Sequence, residues 1–346
     1  MSEEDFHASF AAVSPARQEH VQRQRRNKRL KRNIQRWITL GAALLSLFVS
    51  LWAVWTYSPV SYALLNGSSI LAQGTSTHGG DASSQAPVSA SNSAISFDNP
   101  VQLSSLHDTQ LLQLINREHA VTNMPFREEM SDVYSVVPSI NQSIGLHPLA
   151  LTAVSQLFTA ADEANAGPFH VVSGFRDWMA QAMLYEQIAD SSLVQPAGHS
   201  EHHTGLAIDI VPTLLVQNAG PLSEQLDGNS PEERWLADNS WRFGLILRYP
   251  TGTQDITGIT FEPWHFRYVG KVHAWYMWQH DMVLEEYLQH LQEGGGFDVT
   301  LGERTYHVRY ITPESGVVYV PADSDFTLSS DNRGGYIITA HTRAGE

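Results

Sequence analysis

The sequence predicts an α+β fold, a small antiparallel sheet flanked by helices, preceded by one transmembrane helix and followed by a small β-rich C-terminal appendage. Three observations lead there. Between residues 101 and 294, helical and extended segments follow one another irregularly, without the regular alternation that builds a doubly wound parallel sheet. The run Trp37–Tyr57, "WITLGAALLSLFVSLWAVWTY", contains no charged residue. Residues 295–346 alternate apolar and polar positions and are broken up by turn residues.

In chain order, residues 1–36 read as a cytoplasmic basic tail, with nine Lys/Arg and one acid, Glu19, between Arg17 and Arg36. Residues 37–57 are long enough as a helix, roughly 30 Å, to cross a bilayer's hydrocarbon core, with Trp37, Trp55 and Tyr57 suited to its two interfaces. Basic flanks stay in the cytoplasm, so the rest of the chain is expected outside a bacterial cell membrane. A cleaved signal peptide is the alternative, but the apolar run is longer than a typical signal core and no clear small-residue cleavage box follows. Residues 58–100 are rich in Ser, Gly, Ala, Thr and Asn and read as a flexible linker.

Order is expected to resume around Gln102 to Asn116. "PLALTAVSQLFTAADEAN" (Pro148 to Asn165) spaces its apolar residues as a helix does and opens on proline, which suits a first turn. "FHVVSGF" reads as a buried strand, and a helix follows over roughly Asp177 to Asp190. "LAIDIVP" is β-branched, ends in proline and reads as another strand. Pro231 to Phe243 looks helical, "LILRYP" and "WHFRYVG" look like strands, and one long amphipathic helix is expected from His273 to about Gln292. "EGGG" stops it. Residues 101–294 therefore form the expected main domain and 295–346 a β-rich extension, with strands at "RTYHVRYITP", "GVVYVPA", "FTLSS" and "GYIITAHT".

Composition narrows the chemistry. The chain has no cysteine, which excludes disulfides and leaves His and carboxylates to hold any metal. Beyond residue 57 there are 12 basic and 32 acidic residues, a net charge near −20 that argues against a nucleic-acid partner. The basic tail suits topology and contact with anionic lipid.

The stretch "PAGHSEHHTGLAIDI" (Pro196 to Ile210) holds the first candidates. Seven residues separate His202 from Asp209, which on one unbroken strand would place them on opposite faces. A turn at Thr204 and Gly205 lets both point at a common centre. An ionised Asp209 inside an apolar strand needs a partner, and a metal can serve. In "FEPWHFRYVG", His265 can supply a third ligand. Pro263 holds Glu262 extended beside it, where a carboxylate could take a proton from water at the metal. There is no HExxH helix.

Together these segments resemble the VanY-type D-alanyl-D-alanine carboxypeptidases, part of a zinc peptidase group shared with lysostaphin-like enzymes and hedgehog domains. "SEHHTGLAID" is similar to the family's SxHxxGxAxD motif, "EPWH" to its ExxH motif, and "SGFRDWMAQAMLY" to its SGYRS segment and following glutamine, in family order over about Leu111 to Tyr287. The resemblance implies one zinc ion per chain on His202, Asp209 and His265, with Glu262 as catalytic base. It also implies that Arg176 holds the peptide's terminal carboxylate and polarises the scissile carbonyl, with Gln181 and Ser200 fixing the C-terminal residue. Phe175 and Asp177 depart from the family's Tyr and Ser. His203, where the family often has Gln, and His199 read as bystanders. Trp264 is a candidate for the cleft wall.

The expectation is a membrane-anchored extracytoplasmic zinc carboxypeptidase that removes the C-terminal D-Ala from peptidoglycan stem peptides or lipid-linked precursors. Such trimming would remove the target of vancomycin-type antibiotics. An L,D-carboxypeptidase or endopeptidase acting on the same stems is the alternative within the enzymes. Outside them, the alternatives are a non-catalytic zinc module that binds the wall, or a wall-binding role for the β-rich extension.

Overall fold

The computed structural model describes residues 95–188, 190, 192–216 and 221–343. The basic tail, the apolar run 37–57 and most of the linker lie outside the described residues. Among the described residues no helix is long and apolar enough to cross a membrane.

The elements run β1 (Asn99–Gln102), β2 (Ser131–Asp132), β3 (Gly145–Leu146), α1 (Pro148–Glu163), β4 (Phe169–Ser173), α2 (Trp178–Ile188) and β5 (Ala207–Pro212). Then come α3 (Pro231–Asn239), β6 (Leu245–Leu247), β7 (His265–Tyr268), α4 (Lys271–His280) and α5 (Leu284–Gly294). The chain ends in β8 (Gly296–Leu301), β9 (Arg304–Ile311), β10 (Val317–Val320), β11 (Phe326–Ser330) and β12 (Tyr336–Arg343), and several single helical turns lie between these elements.

The central sheet has the order β4-β5-β7-β6, and every neighbouring pair is antiparallel. One face is apolar. Phe169 and Val171 of β4, Ile208 and Ile210 of β5, Leu245 of β6 and Phe266 of β7 pack there against Val154, Leu157 and Ala161 of α1. Strand alternation sends the residues between them, Asp209, His265 and Arg267, to the opposite face. That alternation alone puts the charged groups of two apolar strands on one side of the sheet.

The helix expected over His273 to Gln292 is two helices. Asp281, with φ 55°, takes the left-handed conformation that ends α4, and Val283 is extended before α5. A short acidic side chain tolerates that conformation better than most, which makes Asp281 a suitable breaker. The Glu286 carboxylate then accepts the Val283 N–H at 3.1 Å and caps α5. The bend lets Val272 and Met277 of α4 share one cluster with Leu284, Tyr287, Leu288 and Leu291 of α5.

The second sheet, β11-β12-β9-β8, contains three of the four strands expected from the sequence together with β8, which the reading of "EGGG" as a stop left out, while the fourth expected strand, β10, pairs elsewhere. The boundary at residue 294 coincides with the end of α5, yet the β-rich segment belongs to one compact unit with residues 95–294. Leu301, Tyr306, Val308 and Ile337 complete the α4–α5 cluster. β1 pairs with β10, and Phe97, Val101, Leu103 and Leu106 pack on Val318, Val320, Leu328 and Ile338. The last strands thus cover apolar surface from both ends of the described chain.

Candidate active site

The polar face of the central sheet carries a row of side chains. Ser173 of β4 pairs with Asp209 of β5, and Asp209 pairs with His265 of β7. Beyond β6, the Arg248 backbone N–H donates to the His265 carbonyl at 3.1 Å and extends the row.

His202 reaches this row from a helical turn, Glu201–Thr204. The Ser200 hydroxyl accepts the His202 N–H at 3.4 Å at the turn's start, and Gly205, with φ 70°, ends it. Only glycine takes that backbone without strain. The imidazole is aimed by its Nδ1–H, which donates to the Gly174 carbonyl at 2.7 Å. Nε2 is left facing the Asp209 carboxylate at 3.5 Å. On the other side, His265 Nδ1 lies 3.1 Å from Asp209 Oδ1 and 3.7 Å from Glu262 Oε2.

His202, Asp209 and His265, all buried, each offer one atom within 4.8 Å of the others. Asp209 Oδ1 is buried without a hydrogen-bond partner. Desolvation works against ionisation of Asp209, but the two imidazoles outweigh it and hold the carboxyl well below its usual range. Burial opposes the charged form of His265, yet the carboxylates of Asp209 and Glu201 raise it to about 9. This pocket of carboxylates therefore calls for positive charge. Two imidazole nitrogens and a buried carboxylate oxygen form a donor set that zinc accepts, so the residues fit such an ion.

Glu262 lines the same cavity, with 5% of its surface exposed. Burial pushes its carboxyl up to about 8, against the opposing pull of His265. Its N–H donates to the Tyr249 carbonyl at 3.1 Å and its carbonyl accepts the His265 N–H at 3.2 Å, so Glu262 opens a turn through Pro263 and Trp264 in place of the extended segment expected from the proline. A carboxylate with that proton affinity can take a proton near neutral pH.

Arg176 lines the same cavity. Nη1 donates to Gln181 Oε1 at 2.8 Å and Nη2 donates to Ser173 Oγ at 2.9 Å. Gln181 is in turn fixed by its amide, which donates to the Gln195 carbonyl at 2.5 Å. Two of the guanidinium's five donors are used, and three remain for a ligand. The cavity holds about 520 Å³ and is lined by Arg176, Gln181, Ser200, His202, Asp209, Glu262 and His265, with Trp264 and Tyr249 among its aromatic walls. All seven residues singled out in the sequence meet there.

His203 does not face solvent, as its reading as a bystander allowed. It is fully buried: Nδ1 donates to the Arg176 carbonyl at 2.7 Å and Nε2 accepts the Gly198 N–H at 2.9 Å. Burial lowers its pKa, which agrees with a neutral ring that accepts at Nε2. Trp178 stacks on it at 6.1 Å and 10°. The ring clamps the loop that carries Arg176. His199 Nδ1 donates to the Asn116 carbonyl at 2.8 Å, away from the centre. His273 is buried against Tyr287 and Thr339.

Sequence reading missed the ionic group behind His265. Glu201 Oε1 accepts from Arg248 Nε at 2.8 Å and lies 3.4 Å from Arg267 Nη1, and Arg248 also makes a two-pronged pair with Glu285 at 2.9 and 2.7 Å. The available signal was an arginine inside each of two apolar strands, "LILRYP" and "WHFRYVG". A buried guanidinium requires a buried acid.

The family described as "VanY: D-alanyl-D-alanine carboxypeptidase" matches residues 143–271. A D-alanyl-D-alanine carboxypeptidase of Enterococcus faecium is 30% identical over 220 residues, 63% of this chain and 68% of that protein. The bifunctional D-Ala-D-Ala dipeptidase and D-Ala-D-Ala carboxypeptidase VanXYC of Enterococcus gallinarum is 32% identical over 190 residues, 53% of this chain and 95% of that protein. Among solved structures, the vancomycin resistance D,D-dipeptidase VanXYg shares the fold, with a TM-score of 0.58 at 22% identity over 70% of this chain and 98% of that one.

Proposed function

The chain belongs to the VanY family of D-alanyl-D-alanine carboxypeptidases, and from that premise we propose that it is a zinc carboxypeptidase that removes the C-terminal D-Ala from peptidoglycan stem peptides. The observation that carries this reading is one cavity with a three-donor metal cluster, a buried glutamate beside it and a braced guanidinium in its lining. A free carboxylate end fits the guanidinium, and a peptide bond one residue inward then lies toward Glu262.

Zinc on His202, Asp209 and His265 would supply Lewis-acid polarisation of the scissile carbonyl and a lowered pKa for an attacking water. Glu262 takes the proton of that water and passes it to the departing amine of D-Ala. Arg176 pairs with the terminal carboxylate through its unused donors and adds positive charge beside the carbonyl as it becomes an oxyanion. Gln181 and Ser173 keep the guanidinium in one orientation, so little side-chain entropy is lost when substrate binds. Ser200 holds the turn that presents His202.

We extend the proposal to location. The charge-free run 37–57 behind nine basic residues supports a single-pass anchor with the catalytic domain outside the membrane, within reach of wall stems and lipid-linked precursors. Loss of terminal D-Ala from such precursors removes the binding target of glycopeptide antibiotics, and a contribution to resistance follows from the reaction.

The test incubates the purified protein with a pentapeptide stem ending in D-Ala-D-Ala and with a tetrapeptide ending in a single D-Ala. Released D-alanine is measured before chelation, after chelation and after zinc is returned. Release from the pentapeptide that chelation abolishes and zinc restores is the expected result. No release from either peptide overturns the proposal.

A further inference from the structure

Glu201 is buried without remainder, its side chain 0% exposed, in the turn that carries His202. One of its oxygens is committed to Arg248. The other, Oε2, points to His265 Nε2 across 3.6 Å. Oε2 and Nε2 are both buried and neither has a hydrogen-bond partner. A buried acceptor and a buried N–H that face each other with no other partner each lose solvation for nothing unless they join.

The two imidazoles of the cluster also present different nitrogens. His202 gives its Nδ1–H to the Gly174 carbonyl and turns Nε2 to Asp209. His265 turns Nδ1 toward Asp209 and the cluster, so a ring that gives the Nδ1 lone pair to an ion there carries its proton on Nε2, toward Glu201. An imidazole that ligates a metal gives one nitrogen's lone pair to the ion and its remaining N–H to an acceptor, which fixes tautomer and ring plane. A backbone carbonyl serves His202, and the only acceptor facing Nε2 of His265 among the described contacts is the Glu201 carboxylate.

We propose that Glu201 is a positioning residue for the metal centre: its Oε2 takes the Nε2–H of His265 and holds Nδ1 toward the ion. This rests on the zinc reading above. Arg248 and Arg267, both fully buried, keep the Glu201 carboxylate ionised and draw it away from the metal, so that it orients a ligand instead of becoming one. Glu285, at the start of α5, pairs with Arg248 as well. The sequence places this acid between the cap residue Ser200 and the ligand His202, so one turn supplies a metal ligand and the support for another.

Glu201 could instead serve only to neutralise two arginines. Glu285 provides the control, because it pairs with the same Arg248 but does not contact His265 among the described ion pairs. Zinc affinity of wild type, Glu201→Gln and Glu285→Gln is measured by competition with a chromophoric chelator, with circular dichroism to verify folding. The expected result is zinc binding about 10–100-fold weaker in Glu201→Gln and unchanged in Glu285→Gln. Should Glu201→Gln fail to fold, Glu201→Asp retains the charge opposite Arg248 but draws the oxygen back by one methylene, and the same weakening is expected. Wild-type affinity in the Glu201 variant, or equal loss in the Glu201 and Glu285 variants, overturns the assignment. A wild-type protein that binds no zinc overturns the metal reading itself and this assignment with it.

Discussion

Asp209 and His265 are direct partners across the two central strands, with their Cα atoms in register and Oδ1 3.1 Å from Nδ1. Sheet register, and not loop conformation, sets the spacing of two of the three candidate ligands. A site held this way is largely preformed, so an ion that binds it stabilises the folded protein by mass action. Zinc at a hundred times its dissociation constant should add about 2.7 kcal/mol, read as a rise in Tm by calorimetry. Asp209→Asn should abolish that rise, and an equal rise in the variant would place the ion elsewhere.

Arg176 is braced at two of its nitrogens, by Gln181 and Ser173. A lysine carries the same charge but cannot reach both braces and the substrate together. Arg176→Lys is expected to lower kcat/KM about 10²-fold, as loss of one placed donor does, and to erase the preference for a free terminal carboxylate over an amide. Kinetics on the acid and amide forms of one peptide test this. An undiminished preference would remove Arg176 from carboxylate binding.

Glu262 is the buried carboxyl that burial raises to about 8. Glu262→Gln keeps its volume and removes its capacity to accept a proton. The expected loss is about 10²–10⁴-fold in kcat, with zinc still bound, as shown by metal analysis of the purified variant. A variant that retains both zinc and full turnover would assign the base elsewhere.

Gly205 ends the His202 turn with φ 70°, and an added Cβ would press into the Met130 sulfur and stand 3.0 Å from the His147 nitrogen. Gly205→Ala therefore strains both backbone and packing, at a cost of about 1–3 kcal/mol. Denaturant unfolding should show that loss, and zinc affinity should drop with it because His202 is displaced. Unchanged stability would mean that the turn relaxes freely.

His273, deep against Tyr287 and Thr339, is held by burial at about 3, against an ordinary value of 6.5. Between those values the unfolded chain binds the proton and the folded protein does not, so stability falls as pH drops below 6.5. From pH 7.5 to 5.5 this residue should account for about 1.4 kcal/mol. Urea unfolding at both values should show an acid loss smaller by that amount in His273→Gln than in wild type. Parallel losses would show that His273 does not titrate differently on folding.

Much of the architecture is written locally. Apolar spacing and an opening proline mark α1, alternation marks β9 to β12, and β-branched residues mark β5. Where two local signals compete, local reading loses. Asp281 breaks an amphipathic pattern between two helices that share one apolar cluster, and β8 follows a glycine run because it pairs with β9.

The sequence by itself determined which side chains could meet: three donors, a base and an arginine, in segments whose spacing and turns allow convergence. Only the tertiary structure decided how they are held. Glu201 and Arg248 are 47 residues apart in the chain, and His203 and Arg176 are 27 apart with α2 between them. Such contacts depend on strand register and on which polar groups lose water together, and neither is a local property of the chain.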